Sequence, residues 1–191
     1  MPGGAFEAGR DRAWHRSVIW LAAQRGRQAA SGKVDRMNNI PPSVAAFLEG
    51  RRIVVAGVSR SGSAPANAIF RRLRDAGHDV VPVNPGASDV EGQRCHPDIR
   101  SVPGAIDGVM VVTHPSVSAD VARQAIARGV RNIWFHRSFG AGSVSPEAVE
   151  VCRAGGVEPI VGGCPLMYCQ PVDPGHRFFR WWLRLRCRVP G

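Results

Sequence analysis

Short apolar segments alternate with helical patterns through most of this 191-residue chain, and this alternation constrains the fold more than any other feature. The segments "RIVVAGV", "DVVPVNP", "DGVMVVTH" and "RNIWFH" are apolar along nearly their whole length, which predicts strands that are buried on both faces. Helical patterns separate these strands. The sequence therefore predicts an α/β fold, a Rossmann-like doubly wound and mostly parallel sheet with helices on both faces.

Two details of the pattern give sharper predictions. The turn-rich connection after the second strand contains a short third strand at residues 93–96, which makes "DGVMVVTH" the fourth strand. In the helix of "PSVSADVARQAIARG", the 3.6-residue period predicts an inward face formed by Val117, Val121, Ala125 and Ile126.

Ligands of doubly wound sheets bind at the carboxyl ends of the strands, near the point where the strand order reverses. We expect this switch point between the first and fourth strands. The rule selects four loops as candidate ligand contacts, which are residues 57–65, 84–86, 113–116 and 136–145.

The loop after the first strand has features of an anion site without a known dinucleotide motif. Its sequence, "GVSRSGSAP", is neither G-x-G-x-x-G nor a Walker P-loop. Gly57 allows a tight turn, and Pro65 suits the first position of a helix whose free N–H groups would face an anion. Ser59 and Arg60 would add a hydroxyl and a guanidinium. The alternative is that Ser59 only caps a turn and Arg60 is a solvated surface charge.

The end of the second strand reads Val83-Asn84-Pro85, with no acidic residue to bind the ribose hydroxyls of NAD. An arginine that could bind the 2′-phosphate of NADP is also missing from this loop. NAD and NADP are therefore disfavoured, although an NAD(P)-binding protein stays an alternative. None of the four loops pairs a general acid with a general base for hydride chemistry, and we predict no catalytic residues.

The stretch "HRSFGAGS" follows the fifth strand and is interpreted as a ligand-facing loop in which Arg137 can reach a phosphate or carboxylate. A loop shaped only by its glycines is the alternative. Cys164, with His136 near it, could form a nucleophile pair for a thioester or redox reaction. Lone cysteines are more often small buried hydrophobes, and the scattered cysteines predict no metal site.

The chain is expected to have three parts. Residues 1–36 are expected to be disordered or a mis-annotated N-terminal extension, residues 37–175 form the Rossmann-like domain, and residues 176–191 form a basic aromatic helix or tail. The last part carries five Arg and no acidic residue. We expect its apolar face to pack on the body or on a second subunit, with Arg180 and Arg184 in solvent; an anionic surface is the alternative partner.

The formal net charge of +10 does not by itself indicate a nucleic-acid-binding protein. Of the 25 basic residues, 24 are Arg, a bias more typical of a GC-rich genome, and the central body is nearly neutral. No apolar run approaches the ~18 to 20 residues that span a bilayer, and a secretory signal is not recognised. We therefore expect a cytoplasmic protein.

Five segments together resemble a known family. "IVVAGVSR", "PVNP", "MVVTHPSV", "IWFHRSFGAGSVSPEAV" and "VGGCPLMY" are similar, in order and spacing, to the small stand-alone CoA-binding domain proteins. These are related to the N-terminal CoA-binding domain of the succinyl-CoA synthetase α subunit. The resemblance implies a Rossmann-like fold that holds coenzyme A or an acyl-CoA, with the phosphates on the first loop.

The resemblance also implies which residues bind the ligand. Gly57, Ser59 and Arg60 match the phosphate loop of the family. Val83, Asn84 and Pro85 match the stretch that walls the nucleotide portion. Thr113, His114 and Pro115 match the loop after the fourth strand, which lies along the ligand. The sequence departs from the synthetases in its Ser-rich first loop and in His114, where they have an apolar residue or proline. Because the catalytic phosphohistidine of the synthetases lies in a second domain, the resemblance implies binding without catalysis.

Overall fold

The computed structural model describes residues 40–138, 140, 142–169, 172, 174–185 and 190. The predicted extension of residues 1–36 lies outside these residues. The strands are β1 (Arg52–Ala56), β2 (Asp79–Val83), β3 (Asp89–Val90), β4 (Gln93–Arg94), β5 (Gly108–Val111), β6 (Asn132–Phe135) and β7 (Ile160–Val161). The helices are α1 (Pro42–Glu49), α2 (Pro65–Asp75), α3 (Pro115–Ala127), α4 (Pro146–Ala154) and α5 (Pro174–Leu185), with a 3₁₀ helix at Pro165–Met167.

Five of the strands form one parallel sheet in the order β2-β1-β5-β6-β7. β1 therefore lies between β2 and β5, and the strand order reverses there, as expected for a doubly wound sheet. The prediction of a Rossmann-like α/β fold is confirmed.

The two faces of the sheet are covered by different helices. Alternate residues such as Val54 and Val109 face α3 and α4, and they share a buried core with Ala122 and Cys152. On the other face Trp134 packs edge-on against Phe47 of α1, with ring centroids 5.3 Å apart. Because both faces are buried, the strands carry the continuous apolar runs that the sequence shows.

The short strand predicted at residues 93–96 is present as β4, but it lies outside the main sheet. β4 instead pairs antiparallel with β3 in a small separate hairpin. Glu91 and Gly92 form its turn with φ values of 56° and 73°, the left-handed conformation of a two-residue hairpin. His96, just after β4, bridges Val83 and so lies along the outer edge of β2.

The inward face of α3 also differs from the prediction. Val117 is 48% exposed, while Ser118, Ala119 and Ala122 are buried. α3 packs against α4 and the sheet, and small side chains at these positions allow that packing. Val121 and Ile126 lie at the edge of the core and are partly buried, and only Ala125 is fully buried as predicted.

α5 begins at Pro174, and part of it contacts the body of the protein. Arg180, expected in solvent, instead donates a hydrogen bond to the Met167 carbonyl at 3.1 Å and lies 5.6 Å from the centre of the Tyr168 ring. The side chain of Arg184 lies outside the described residues. In the part of the chain that the structure describes, the helices are too short or too polar to cross a membrane.

Candidate functional site at the switch point

Gly57 opens the first loop (residues 57–65) at the point where β1 meets β2 and β5. Its N–H donates to the Val83 carbonyl at 2.9 Å, and its φ of 101° is a conformation that only glycine adopts readily. A Cβ atom here would lie 2.4 Å from the Val112 carbonyl oxygen. Glycine is therefore required for the close approach of the two strands at the switch point.

The first loop turns sharply at residues 59–62 and presents its polar groups outward. The Gly62 N–H points to the Ser59 carbonyl at 3.4 Å, and the Ser61 N–H donates to Ser59 Oγ at 3.2 Å. The Ser59 and Ser61 hydroxyls are 2.9 Å apart, while Arg60 and Ser61 are exposed. The turn thus combines hydroxyls with a solvent-facing guanidinium.

The N-terminus of α2 follows this turn directly. Pro65 is its first residue, and Ala64 at the N-cap gives no side-chain hydrogen bond. The positive end of the helix dipole is consequently not capped by a side chain of the loop. A phosphate beside Ser59 and Arg60 would meet both the turn and this helix end.

Asn84 joins the loop after β2 to the first loop. Its Nδ2 donates to the Val58 carbonyl at 2.5 Å, and its Oδ1 accepts from the Gly86 N–H at 2.7 Å. Val83 is buried and Pro85 is exposed. The structure therefore places the loop after β2 against the first loop, and the Asn84 side chain joins the two.

The loop after β5 lies beside the first loop because β5 pairs with β1. His114 caps α3 by accepting the Ser116 N–H at Nδ1, 3.3 Å away, and its Nδ1 is 2.8 Å from the Ser116 hydroxyl. Thr113 Oγ1 is 3.1 Å from the Ser118 hydroxyl. The role of His114 as the N-cap of α3 was not predicted, although a His before Pro at a helix start is compatible with it.

Arg137 lies on the same edge of the sheet but two strands away from β1. Its N–H donates to the Gly163 carbonyl at 3.2 Å, and its side chain is half-buried. Two strand spacings are about 10 Å, so an extended ligand along this edge can contact both Arg137 and the first loop.

Cys164, which is buried, and His136 and Ser138, which are partly buried, form a group that we call the inner cluster. His136 Nε2 is 3.1 Å from the Ser138 hydroxyl. The Ser138 side chain also acts on the Cys164 thiol, whose pKa it lowers less than burial raises it. Burial lowers the pKa of His136 and raises the pKa of Cys164 to about 12. The inner cluster therefore holds a neutral imidazole and a protonated thiol rather than an activated nucleophile.

The other described cysteines are also buried, and burial raises the pKa of Cys169 to about 11. Within residues that the structure describes, no three His, Cys, Asp or Glu side chains gather in a way that could hold a metal ion.

Comparison with known protein families identifies the domain that carries this site. The family model described as "CoA binding domain" matches residues 51–170, which include all the strands and the whole switch point. The chain belongs to this CoA-binding family.

Several proteins are similar to this CoA-binding domain protein, one in sequence and two in structure. An uncharacterized protein, YneT of Bacillus subtilis, is 25% identical over 114 residues, which are 60% of this chain and 82% of YneT. A conserved hypothetical protein from Pyrococcus furiosus is 31% identical, with a TM-score of 0.52 over 57% of this chain and 90% of that protein. A hypothetical protein from Pyrococcus horikoshii gives a TM-score of 0.59 at 25% identity and covers 64% and 83% of the two chains.

A larger enzyme contains a similar fold. The dinucleotide-forming acetyl-coenzyme A synthetase 1 of Ca. Korarchaeum cryptofilum is 24% identical, with a TM-score of 0.52 over 59% of this chain. The match covers only 25% of the enzyme, and at this identity it shows the fold alone.

The residues that hold the first loop of this CoA-binding domain were not predicted from the sequence. Asn67 is fully buried in the first turn of α2 and bonds to Ser59, while Arg71 and Glu91 complete the network. A polar residue on the buried face of α2 was a signal that could have indicated Asn67. No local pattern indicates Glu91, which lies 24 residues further along the chain.

Proposed function

We propose that the chain binds coenzyme A or an acyl-CoA at the carboxyl ends of β1, β2 and β5, without catalysis of its own. Membership of the CoA-binding family supports coenzyme A as the ligand. The single observation that carries the proposal is the outward-facing turn at the switch point, where Ser59, Arg60 and Ser61 stand before the N-terminus of α2.

In this proposal the phosphates of the ligand lie on the first loop. Arg60 and the hydroxyl of Ser59 bind them by charge-assisted and neutral hydrogen bonds, and the first N–H groups of α2 add the field of the helix dipole. Gly57 contributes by leaving room for the backbone turn. This arrangement needs no acidic residue and no metal at the turn.

The remaining contacts follow from the neighbouring loops. Val83, Asn84 and Pro85 wall the nucleotide portion, with Asn84 fixed by its bond to the first loop. The ligand continues along the loop after β5, whose residues are Thr113, His114 and Pro115. Arg137 meets the end of the ligand that is about two strand spacings from the phosphates.

The position of Glu91 supports CoA over NAD. An NAD site needs a carboxylate free to bind the ribose hydroxyls. Glu91 is close to the first loop, but its Oε1 accepts from Asn67 at 2.9 Å and from Arg71 at 2.6 Å. The Glu91 side chain is 14% exposed and follows β3, whereas the acid of an NAD site follows the second strand of the main sheet.

The inner cluster supports binding without chemistry. Cys164 is 6% exposed, and its raised pKa keeps the thiol protonated at neutral pH. A thioester or redox reaction through Cys164 and His136 would need a thiolate that this environment disfavours.

The assembly and location of the protein remain predictions. α5 exposes Phe178 and Trp181, which are 59% and 57% exposed, and these rings could contribute to a homo-oligomer through the C-terminal helix. Sedimentation of the full chain and of a Trp181→Glu variant tests this prediction. A cytoplasmic location, and the boundaries at residues 36 and 175, also stay predictions.

Thermal-shift titration with CoA, acetyl-CoA, NAD, NADP and ATP tests the function. A ligand at 100 times its dissociation constant stabilises the folded state by about 2.7 kcal/mol, which is readily seen in the melting temperature. We expect CoA or acetyl-CoA to raise the melting temperature at concentrations where NAD and NADP do not. Stabilisation by NAD at millimolar levels, with none by CoA, would contradict the proposal.

A further inference from the structure

Asn67 bonds to Ser59 through both ends of its amide. Its Oδ1 accepts the Ser59 N–H at 2.8 Å, and its Nδ2 donates to the Ser59 carbonyl at 2.8 Å. The side chain is 0% exposed, so no ligand in solvent can touch it. Asn67 therefore holds the first residue of the turn from inside the protein.

Arg71, one helical turn further along α2, holds the last residue of the same turn. Its Nη1 donates to the Gly62 carbonyl at 3.1 Å and forms an ion pair with Glu91 Oε1 at 2.6 Å. The same carboxylate oxygen accepts from Asn67 Nδ2 at 2.9 Å. Glu91 thus joins the two attachments into one network.

Glu91 has an unfavourable backbone conformation in this position. Among the described residues, Glu91 is the one non-glycine residue with a positive φ. The angle is 56°, and the residue lies in the turn between β3 and β4. Such a conformation costs about 1 kcal/mol or more for a residue with a side chain. The contacts to Asn67 and Arg71 offset this cost, because they use the carboxylate that the turn directs toward the first loop.

The network fixes both ends of the turn and leaves its middle exposed. Ser59 and Gly62 are held from inside, while Arg60 and Ser61 between them face solvent. A turn ordered before binding does not have to lose conformational entropy when the ligand arrives, so its affinity is higher.

We propose that Asn67, Arg71 and Glu91 are positioning residues that hold the turn at residues 59–62 in its ligand-binding shape. The inference rests on the proposed CoA function for its affinity readout, but the order of the turn is a property of the unliganded protein. It makes the small β3–β4 hairpin part of the binding site, although the hairpin lies outside the main sheet.

Two variants remove the two attachments separately. Asn67→Leu keeps the approximate volume of the side chain and removes both bonds to Ser59, while Arg71→Met removes the bond to Gly62 and the ion pair. Arg123→Met is the matched control, because Arg123 forms an ion pair with Glu147 that is also 2.6 Å long but joins α3 to α4. CoA affinity is measured by calorimetry, and hydrogen exchange of the Ser59 and Gly62 amides is measured without ligand.

We expect Asn67→Leu to weaken CoA binding about 10-fold and Arg71→Met at least about 5-fold, with faster exchange of the turn amides in each variant. Arg123→Met leaves both quantities unchanged. Since Asn67 carries no charge, Asn67→Leu should weaken binding equally at low and high salt, which separates positioning from a lost charge contact with the phosphates.

Unchanged affinity and unchanged amide exchange in both variants would overturn the inference. If Asn67→Leu does not fold, Arg71→Met decides, since the Arg71 side chain is 41% exposed and its loss leaves the core intact. If the wild-type protein does not bind CoA, the proposed function fails. In that case amide exchange alone tests whether the network orders the turn. Unprotected Ser59 and Gly62 amides in the wild-type protein would contradict the inference.

Discussion

The first loop and the inner cluster lie at the same edge of one sheet, yet their reactive groups have opposite surroundings. In the first loop, backbone groups are bonded inward and the side chains of Arg60 and Ser61 face solvent. In the inner cluster, Cys164 is buried and His136 is partly buried, and burial shifts the pKa of each toward its neutral form. Residue type alone therefore does not identify a site, because solvent access decides which groups can contact a ligand.

The largest effect is expected where the first loop leaves the sheet. Gly57→Ala would place a Cβ atom 2.4 Å from the Val112 carbonyl oxygen at a φ of 101°. We expect the free energy of unfolding to fall by about 3 kcal/mol or more, because both the backbone strain and the clash must be relieved. Urea denaturation measures this change.

Gly77→Ala is the matched control for this prediction. Gly77 has a similar φ of 95°, but a Cβ atom there would meet nothing within 4 Å. Its loss of stability should be limited to the strain, about 1 kcal/mol. Equal losses in the two variants would show that the close approach of β1 and β5 at Gly57 is unimportant.

The second effect concerns the exposed side of the first loop. Arg60→Ala should weaken CoA binding about 10- to 100-fold, since a charge-assisted bond to phosphate contributes about 1.5 to 3 kcal/mol. The melting temperature of the unliganded protein should not change, because Arg60 is exposed. Calorimetric titration and thermal unfolding check the two halves of this prediction.

Arg51→Ala removes the same charge from the opposite edge of the sheet, where β1 begins, and should leave CoA affinity nearly unchanged. A large loss of stability in unliganded Arg60→Ala would make Arg60 a structural residue. The first loop would then no longer differ from the inner cluster in having a side chain that is free for a ligand.

The third effect tests whether the inner cluster is inert. Burial raises the pKa of Cys164 to about 12, so the folded protein at pH 8 should label with iodoacetamide far more slowly at Cys164 than the protein unfolded in guanidinium does. Cys164→Ala should bind CoA within about twofold of the wild type. Mass spectrometry locates the labelled residue, and rapid labelling of folded Cys164 would revive the enzyme hypothesis.

The smallest effect is a pH dependence of stability from His136. Burial lowers its pKa in the folded state below the usual 6.5, so the unfolded chain takes up the proton first as the pH falls. The stability that neutral His136 contributes is present above pH 6.5 and is lost as the pH falls through the lowered pKa. Urea midpoints between pH 5 and 7 should therefore decline less in His136→Gln, and identical slopes would contradict the burial of this imidazole.

The sequence could predict the fold because its main signals are local. Strands buried on both faces give continuous apolar runs, and the loops after them can be read directly, which is how Gly57, Ser59 and Asn84 were selected. The pairing of β4 with β3 was not predicted, because the turn between them depends on the φ of Glu91. The inward face of α3 was predicted wrongly, because small residues rather than Val117 face the core.

The network that holds the first loop could not be predicted for a related reason. Asn67 and Glu91 are 24 residues apart, and their contact exists only because the β3–β4 hairpin folds back beside α2. Arg180 was misplaced in the same way, since its partner, the Met167 carbonyl, belongs to a different element. Contacts between distant elements require the fold before they can be read.

We propose that the first loop, and not the inner cluster, contacts the ligand. Titration of the ¹⁵N-labelled protein with CoA, followed by amide chemical shifts, tests this proposal. We expect the largest changes at Ser59, Arg60 and Ser61, with smaller ones at Thr113 and Arg137. Saturating changes at Cys164 and its neighbours, with the first loop unaffected, would contradict it.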